Sequence, residues 1–358
     1  NSDGSPYKPG KLLVQKDLSN VLKAISSKGS DVFYTGWIAE KMIEDNKKNG
    51  GVLSMEALAS YEAKTSHIVS GSYRGYDLNA LWMPAFGAIT IEALQILEQL
   101  EGDFRNKFDW AESIYHAIDA AYLDRRVQFT LDDAKRFTSK AWANKRADEI
   151  RNKKISSNLK PLPESYTALH GHTTHLTVAD SDGMIVSLTQ TIGTTMGSKV
   201  ATPGLGFMYA QTLGGYLGEI KPGVRAPSHI SPIIVSREGK PFLALGAAGG
   251  SRIPSSIVSV VSRVIDQNLS LYDAMSKPRV HPANGKIEIE VVETDNDKLN
   301  KVFDYTVDDT LHFTQKGHSV MLRSGKANFG RVYAIMREGN DWVAVSDPDW
   351  QGSSGAVK

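Results

Sequence analysis

Three stretches in the second half of this sequence share one form, and that form restricts the fold more than any other feature of the chain. HTTHLTVAD, then Ser181-Asp182-Gly183, then MIVSLTQT is an alternating run, a tight-turn signal and a second alternating run. SPIIVSREGKPFLALGAAGG repeats the form around Glu238-Gly239, and RVYAIMREGNDWVAVSD repeats it around Gly339-Asn340. Alternation sends successive side chains to opposite faces of a strand, and glycine-bearing tight turns join antiparallel neighbours. A mostly antiparallel sheet is therefore expected, with the helical run SSIVSVVSRVIDQ packed against it.

The first half has a helical period. Leu18, Val21, Leu22 and Ile25 share one face and Ile38, Met42 and Ile43 another, with Asp17 and Asp31 placed as caps. SGSYRGYDLNAL reads as a strand, and helices resume at ITIEALQILEQL and AESIYHAIDAAYLDRR. In the last of these, Asp124 and Arg125 are expected to form a structural ion pair or cap. Between Asp148 and Pro163 the chain turns basic and proline-bearing, RNKKISSNLKPLP, which reads as an exposed linker of the kind that is cut or threaded.

Charge excludes some functions. Lys and Arg total 41 against 40 Asp and Glu, a net charge of +1, so no polyanion partner is indicated, and the basic linker has no interleaved aromatics to bind nucleic acid. No apolar run approaches the roughly 18–20 residues of a membrane span, and NSDGSPYKPGKLL lacks signal-peptide architecture. The chain has no cysteine, so covalent catalysis falls to serine, threonine or a carboxylate. His170 and His172 share a strand face while His175 takes the other, and acids are sparse nearby; these are expected to be exposed loop histidines with no metal.

Thr173 and Thr174 open the first alternating run. A threonine there can attack the carbonyl carbon that precedes it. If the His172–Thr173 bond breaks in this way, Thr173 becomes an N-terminus with both a hydroxyl and an α-amine. That amine, with a reference pKa of about 7.7–8.0, takes the hydroxyl proton near neutral pH, so one residue supplies nucleophile and base. The pair alone carries little weight, because threonine opens many strands by propensity. GAAGGSRIP, from Gly246 to Pro254, adds two glycines between a strand and a helix, where free N–H groups and the helix dipole collect. Adjacent N–H groups aimed at one point are what a tetrahedral oxyanion requires, although a Gly-Gly pair by itself is more often only a turn.

In order and approximate spacing, TTHLTVADSDGMIVSLTQT, RAPSHISPIIV, GKPFLALGAAGGSRIP, PRVHP and the closing SDP resemble the small subunit of the gamma-glutamyltransferases. LVQKDLSNVLKAI, FYTGWIAEKM, NGGVLSMEALASYEA, GSYRGY and AAYLDRR resemble the later part of that family's large subunit, so the likeness covers nearly the whole chain. It implies an α+β fold, the four-layer αββα sandwich of N-terminal-nucleophile hydrolases, made as one precursor and cut into two interlocked chains. Residues 1–172 would be the C-terminal part of the large-subunit region, ending in a cleavable linker, and residues 173–358 the small-subunit region, the two forming one intertwined domain. By the same resemblance Thr173 is the nucleophile and processing site, with the cut after His172. Thr191 matches the second threonine, which hydrogen-bonds the nucleophile. Gly249 and Gly250 match the oxyanion-hole pair, and Ser228 the first of two serines that hold the donor's α-carboxylate. His281 and His318 match positions that look structural. No cofactor is implied.

Departures from the family bear on the donor. Where relatives have asparagine, glutamine and aspartate around the donor's α-ammonium, this chain has Gly193, Thr212 and Gly215, and His229 replaces the second serine. A buried cation without its paired anion is costly, so a free γ-glutamyl amino acid is expected to bind poorly in an otherwise unchanged pocket. YLGEIKPGV, before Arg225, is short for the family's lid loop, which implies an open cleft and a bulky or extended donor. The family's carboxylate-clamping arginine falls ahead of the matching region, so it would come from a preceding segment or a second chain of the same precursor, if it is present at all.

The expected activity is that of an amidohydrolase or acyltransferase that forms an acyl-enzyme on Thr173 from a γ-glutamyl donor and releases it to water or an amine. Other amides, such as poly-γ-glutamate or a cephalosporin-like acyl amide, are the alternative donors. An inactive relative serving as a binding protein is a further alternative, against which the retention of Thr173, Thr191, Gly249 and Gly250 argues. The expected partner is a small-molecule amide, with oligomeric state open. Most bacterial members of the family imply a periplasmic or extracellular address, and the cytoplasm stays open.

Overall fold

The computed structural model describes residues 5–153, 171–212, 221–291, 305–324, 329–348, 350 and 352–356. The linker beyond Lys153, His170 and Gly215 lie outside the described residues. The chain divides into two compact units, one of residues 1–65 with 196–210, the other of residues 66–195 with 211–358.

The first unit is helical: α1 (Lys16–Lys28), α2 (Asp31–Tyr34), α3 (Trp37–Lys48) and α4 (Met55–Ala59). Its core is Val21, Val32, Ile38, Ala39 and Met42, closed by Leu205 from the returning segment. The periodicity read in the sequence places Val21, Ile38 and Met42 correctly, whereas Leu22 is exposed. Asp17 and Asp31 are not caps. They lie inside the first turns of α1 and α2, after Gln15 and Ser30, neither of which makes a side-chain cap bond. Their charge still complements the helix N-terminus.

The second unit is built on a six-stranded sheet, antiparallel throughout, in the order β1 (Ile68–Tyr73), β2 (Tyr76–Leu81), β5 (Ile233–Arg237), β6 (Lys240–Ala248), β10 (Arg331–Glu338) and β11 (Asp341–Ser346). SGSYRGYDLNAL is not one strand but a hairpin, β1 (Ile68–Tyr73) and β2 (Tyr76–Leu81), because Arg74 and Gly75 both take positive φ (50° and 82°) and reverse the chain. Four helices follow, α5 (Gly87–Gln99), α6 (Lys107–Asp124), α7 (Leu131–Phe137) and α8 (Lys140–Arg151). Asp124 ends α6 in a buried ion pair with Arg146 of α8, so its structural role holds with a partner other than Arg125.

The three sequence hairpins are present. They are β3 (Gly171–Ala179) with β4 (Ile185–Thr194), β5 (Ile233–Arg237) with β6 (Lys240–Ala248), and, late in the chain, β10 (Arg331–Glu338) with β11 (Asp341–Ser346). Helices α9 (Ile253–Asp266) and α10 (Leu271–Ser276) come after β6. A third sheet pairs β7 (Val280–Ala283) antiparallel and β9 (Ser319–Arg323) parallel with β8 (Lys286–Glu290), with α11 (Asp309–Gln315) between β8 and β9 in the chain.

Period two assigns the faces of the central sheet. Leu243, Leu245 and Ala247 of β6, with Val332, Ala334 and Met336 of β10, enter one apolar core with α5, α6 and α9. Their alternates face the β3–β4 hairpin, which packs on β6 and β10. The result is the expected α+β sandwich of helices, large sheet and small sheet. In the hairpin the apolar residues point the other way: Leu176, Val178, Val186 and Leu188 are 41–54% exposed, while Thr173, His175 and Thr189 are buried. The face turned to the large sheet is thus polar, and Thr173 lies on it.

Candidate active site

The 18-residue interval between Thr173 and Thr191 is a consequence of hairpin register, since the two are cross-strand partners. Thr173 Oγ1 donates to Thr191 Oγ1 at 2.9 Å. Thr191 Oγ1 also accepts from the backbone N–H of Gly193, at 3.1 Å. The ladder breaks here. Gly171 pairs with Thr194 but Thr173 with Thr191, so His172 falls in a register shift, and the His172–Thr173 peptide sits at an irregularity of the strand.

Gly193 has φ 88°, and a Cβ there would lie 1.9 Å from the carbonyl oxygen of Gln211. That close approach belongs to a parallel bridge in which Gln211 N donates to Ile192 O at 2.8 Å. Thr212, half-buried, follows directly. The structure therefore brings together Thr173, Thr191 and Gly193, with Thr212 one residue beyond the Gly193 bridge.

His175, two residues after Thr173, is not an exposed loop histidine. It is buried, its Nδ1 2.8 Å from Thr189 Oγ1 and its Nε2 2.8 Å from Thr177 Oγ1, with Ser187 Oγ at 3.4 Å. Burial pushes its imidazole down to about 4, so it is neutral at neutral pH. The ring packs against β6 at Gly246, where a Cβ would meet it at 2.4 Å. Ser187, the cross-strand partner of Thr177, reaches Leu245 O at 3.3 Å. Gly249 and Gly250 follow Ala248, the last residue of β6.

Those two glycines link β6 to α9 through a 3-10 turn, Gly250–Arg252. Gly249 has φ 148° and Gly250 φ 60°, and a Cβ on Gly249 would stand 2.6 Å from Gly330 Cα. Glycine is required twice here, once by each conformation. Sequence reasoning missed what holds this turn. Tyr122 donates its hydroxyl to Ser251 O, and Ser256 Oγ accepts from Gly330 N at 3.0 Å. Arg279 donates to Gly330 O and pairs with Glu290 and Asp347, each at 2.7 Å, all three side chains buried. The signal was present in the motifs that contain them: AAYLDRR, PRVHP and SDP each carry a polar group that no hairpin or helix pattern requires.

Ser228 and His229 are anchored at the start of α5. Ser228 N donates to Pro84 O at 2.9 Å, and Phe86 N donates to Ile230 O at 2.9 Å. His229 is buried with its ring 4.7 Å from that of Phe86. Phe86 in turn lies 6.1 Å from Tyr122, whose hydroxyl holds the glycine turn. Burial, then the nearby Arg125 guanidinium, push the His229 imidazole down to about 4, so it too is neutral at neutral pH.

A family model described as Gamma-glutamyltranspeptidase matches residues 1–357. The chain belongs to the gamma-glutamyltranspeptidase family. It is 33% identical over 307 residues to the glutathione hydrolase proenzyme of Escherichia coli (strain K12), covering 78% of this chain and 52% of that protein. It is equally 33% identical, over 304 residues, to the Acylase ACY 1 proenzyme of Pseudomonas sp. (strain SE83), covering 80% of this chain and 53% of that one. A cephalosporin acylase from Bacillus halodurans shares the fold, with a TM-score of 0.80 over 98% of this chain and 66% of that chain, at 22% identity. The chain spans about half the length of the curated relatives it matches.

Proposed function

We propose that this member of the gamma-glutamyltranspeptidase family is a self-processing amidohydrolase or acyltransferase with Thr173 as its nucleophile. The observation that carries the reading is the 2.9 Å hydrogen bond from Thr173 Oγ1 to Thr191 Oγ1 at a break in the strand. An acceptor held on the neighbouring strand orients the hydroxyl and draws its proton away from the attacking lone pair. In processing, Thr173 Oγ1 attacks the His172 carbonyl carbon, the C–N bond breaks as the amide nitrogen takes a proton, and water hydrolyses the resulting ester. Thr173 then carries a free amine. In turnover that amine accepts the hydroxyl proton as Oγ1 attacks the donor amide, and returns it to the leaving amine. Gly249 and Gly250 supply the N–H groups for the oxyanion, and an acyl-enzyme on Thr173 is released to water or to an acceptor amine. Domain organisation follows the same reading, with residues 173–358 as the small subunit and the residues before them as the end of the large one.

The donor is a γ-glutamyl compound on the family reading, as in the relatives named glutathione hydrolase proenzymes. A second reading, an acylase acting on an amide without an α-amino acid head, is favoured by specific geometry. The clash that a Cβ on Gly193 would make with Gln211 leaves no room for an ammonium-binding side chain at that position. His229, kept neutral, offers a donor's carboxylate no positive charge.

Purified protein incubated at neutral pH should yield a fragment whose N-terminal sequence begins TTHLTV, and Thr173→Ala should be uncut and inactive. Maturation of that variant would overturn the assignment of the nucleophile. Hydrolysis of a γ-glutamyl anilide compared with a simple acyl anilide separates the two donors: faster cleavage of the acyl anilide selects the acylase reading.

A further inference from the structure

The metal question raised by the sequence lay at His170, His172 and His175, but the fold assembles a different donor set. On α6, Glu112 and His116 stand four residues apart and so share a helix face. His318, from the turn before β9, comes against both. Its Nε2 is 3.0 Å from Glu112 Oε1, and its ring centroid is 5.2 Å from that of His116. One ligand atom from each of the three residues lies within 4.8 Å of the others. Among the described residues no other group of three such side chains converges in this way.

Two imidazoles and one carboxylate are a donor set suited to Zn2+, with Zn–N and Zn–O distances near 2.0–2.1 Å that put tetrahedral ligand atoms about 3.3 Å apart. Glu112 Oε1 and His318 Nε2, 3.0 Å apart, are already near that spacing, and a His116 ring nitrogen lies within 4.8 Å of both residues' ligand atoms. Glu112 and His318 keep only 22% and 17% of their side-chain surface in solvent, so the cluster is partly desolvated yet reachable. Lys316 Nζ occupies the second carboxylate oxygen of Glu112 at 2.6 Å, so the site has a competing cation built in.

We propose that Glu112, His116 and His318 form a binding site for Zn2+, completed by water, that fastens α6 to the start of β9. The ion cross-links residues separated by 206 positions in the chain.

The test uses the purified protein without a polyhistidine tag, stripped with EDTA and titrated with ZnCl2 by calorimetry and thermal melting. A single saturable site and a rise in Tm of about 2–5 °C are expected, the shift following from binding to the folded state alone. His116→Ala and His318→Ala should each weaken the site at least tenfold, and His67→Ala should leave it unchanged. Lys316→Met should tighten it by removing the competing ammonium, whereas a purely structural ion-pair cluster would be weakened by that change and would ignore zinc. Co2+ should give the visible absorption of a tetrahedral site. Zinc affinity equal in wild type, His116→Ala and His318→Ala, or no rise in Tm, would overturn the proposal.

Discussion

Replacing Thr191 with valine removes one oxygen and keeps the shape of the side chain. That oxygen accepts two hydrogen bonds, from Thr173 Oγ1 at 2.9 Å and from Gly193 N at 3.1 Å. The first bears on chemistry. A hydrogen bond to a group that becomes charged in the reaction contributes about 1.5–3 kcal/mol, which corresponds to a loss of roughly 10- to 150-fold in rate. The second bears on folding, because an orphaned N–H, here that of buried Gly193, costs about 1–3 kcal/mol. Thr191→Val should therefore slow the appearance of the fragment starting at Thr173, followed on denaturing gels. It should lower kcat on an anilide substrate by a similar factor, and lower the Tm by a few degrees. Thr191→Ser, which restores the oxygen, should recover most of both. Processing and kcat at wild-type levels in the valine variant would refute the assignment of the Thr173–Thr191 bond to catalysis.

Tyr122→Phe deletes the hydroxyl that holds Ser251 O behind the glycine turn; kcat should fall about tenfold with KM little changed, as expected when a group stabilised mainly in the transition state is loosened. A change confined to KM would show that the turn does not depend on Tyr122. Asp347→Ala removes one of the two carboxylates that pair with buried Arg279 among the described residues and should cost about 3 kcal/mol, read from denaturant unfolding, with processing impaired at growth temperature. His175 and His229 have folded pKa values near 4, below the unfolded value of about 6.5. The unfolded chain therefore binds protons first, and the stability these groups contribute is present above pH 6.5 and lost as pH falls toward 4, by roughly 3 kcal/mol each at most. Thermal melts between pH 7 and pH 4.5 should show that loss, and His175→Gln should flatten it; an unchanged slope in the variant would remove His175 from the acid response.

The hairpins were legible because their signal is local. Glu238 and Gly239 take φ 52° and 74°, and alternation on either side reports the faces without reference to the rest of the chain. The same reading missed the hairpin in SGSYRGYDLNAL, since Arg74 adopts a positive φ that its residue type does not advertise. Asp17 and Asp31 were misread because a cap is defined by backbone geometry, and an acid one or two residues further on looks the same in sequence. Thr173 was singled out as a strand-opening hydroxyl and Thr191 through family resemblance; hairpin register gives their spacing a physical reason. What holds the glycine turn was not legible in period or spacing. Tyr122 and Ser251 are 129 positions apart, Arg279 and Asp347 68 apart, and contacts of that range leave no periodic trace. His175 was misjudged for a related reason. Its burial depends on the missing side chain of Gly246, on another hairpin.

The polar inner face of the β3–β4 hairpin joins these observations. An apolar face would bury more favourably against β6 and β10, yet the hairpin turns Leu176, Val178, Val186 and Leu188 outward. Polar groups buried between sheets are tolerable only when they satisfy one another, and here they do so in pairs. Thr173 bonds Thr191, His175 bonds both Thr189 and Thr177, Thr177 reaches Tyr333 O, and Ser187 reaches Leu245 O. Unlike an apolar contact, each of these bonds has a direction and a single acceptable register. A slip of one residue would send all of them outward and bring Leu176 and Val178 into the seat that Gly246 leaves for an imidazole. The register of the small sheet on the large one and the position of the Thr173 hydroxyl are therefore fixed by the same interactions. On the proposed reading that Thr173 is the nucleophile, the polar face forgoes apolar burial and holds that hydroxyl to within the tolerance that attack demands.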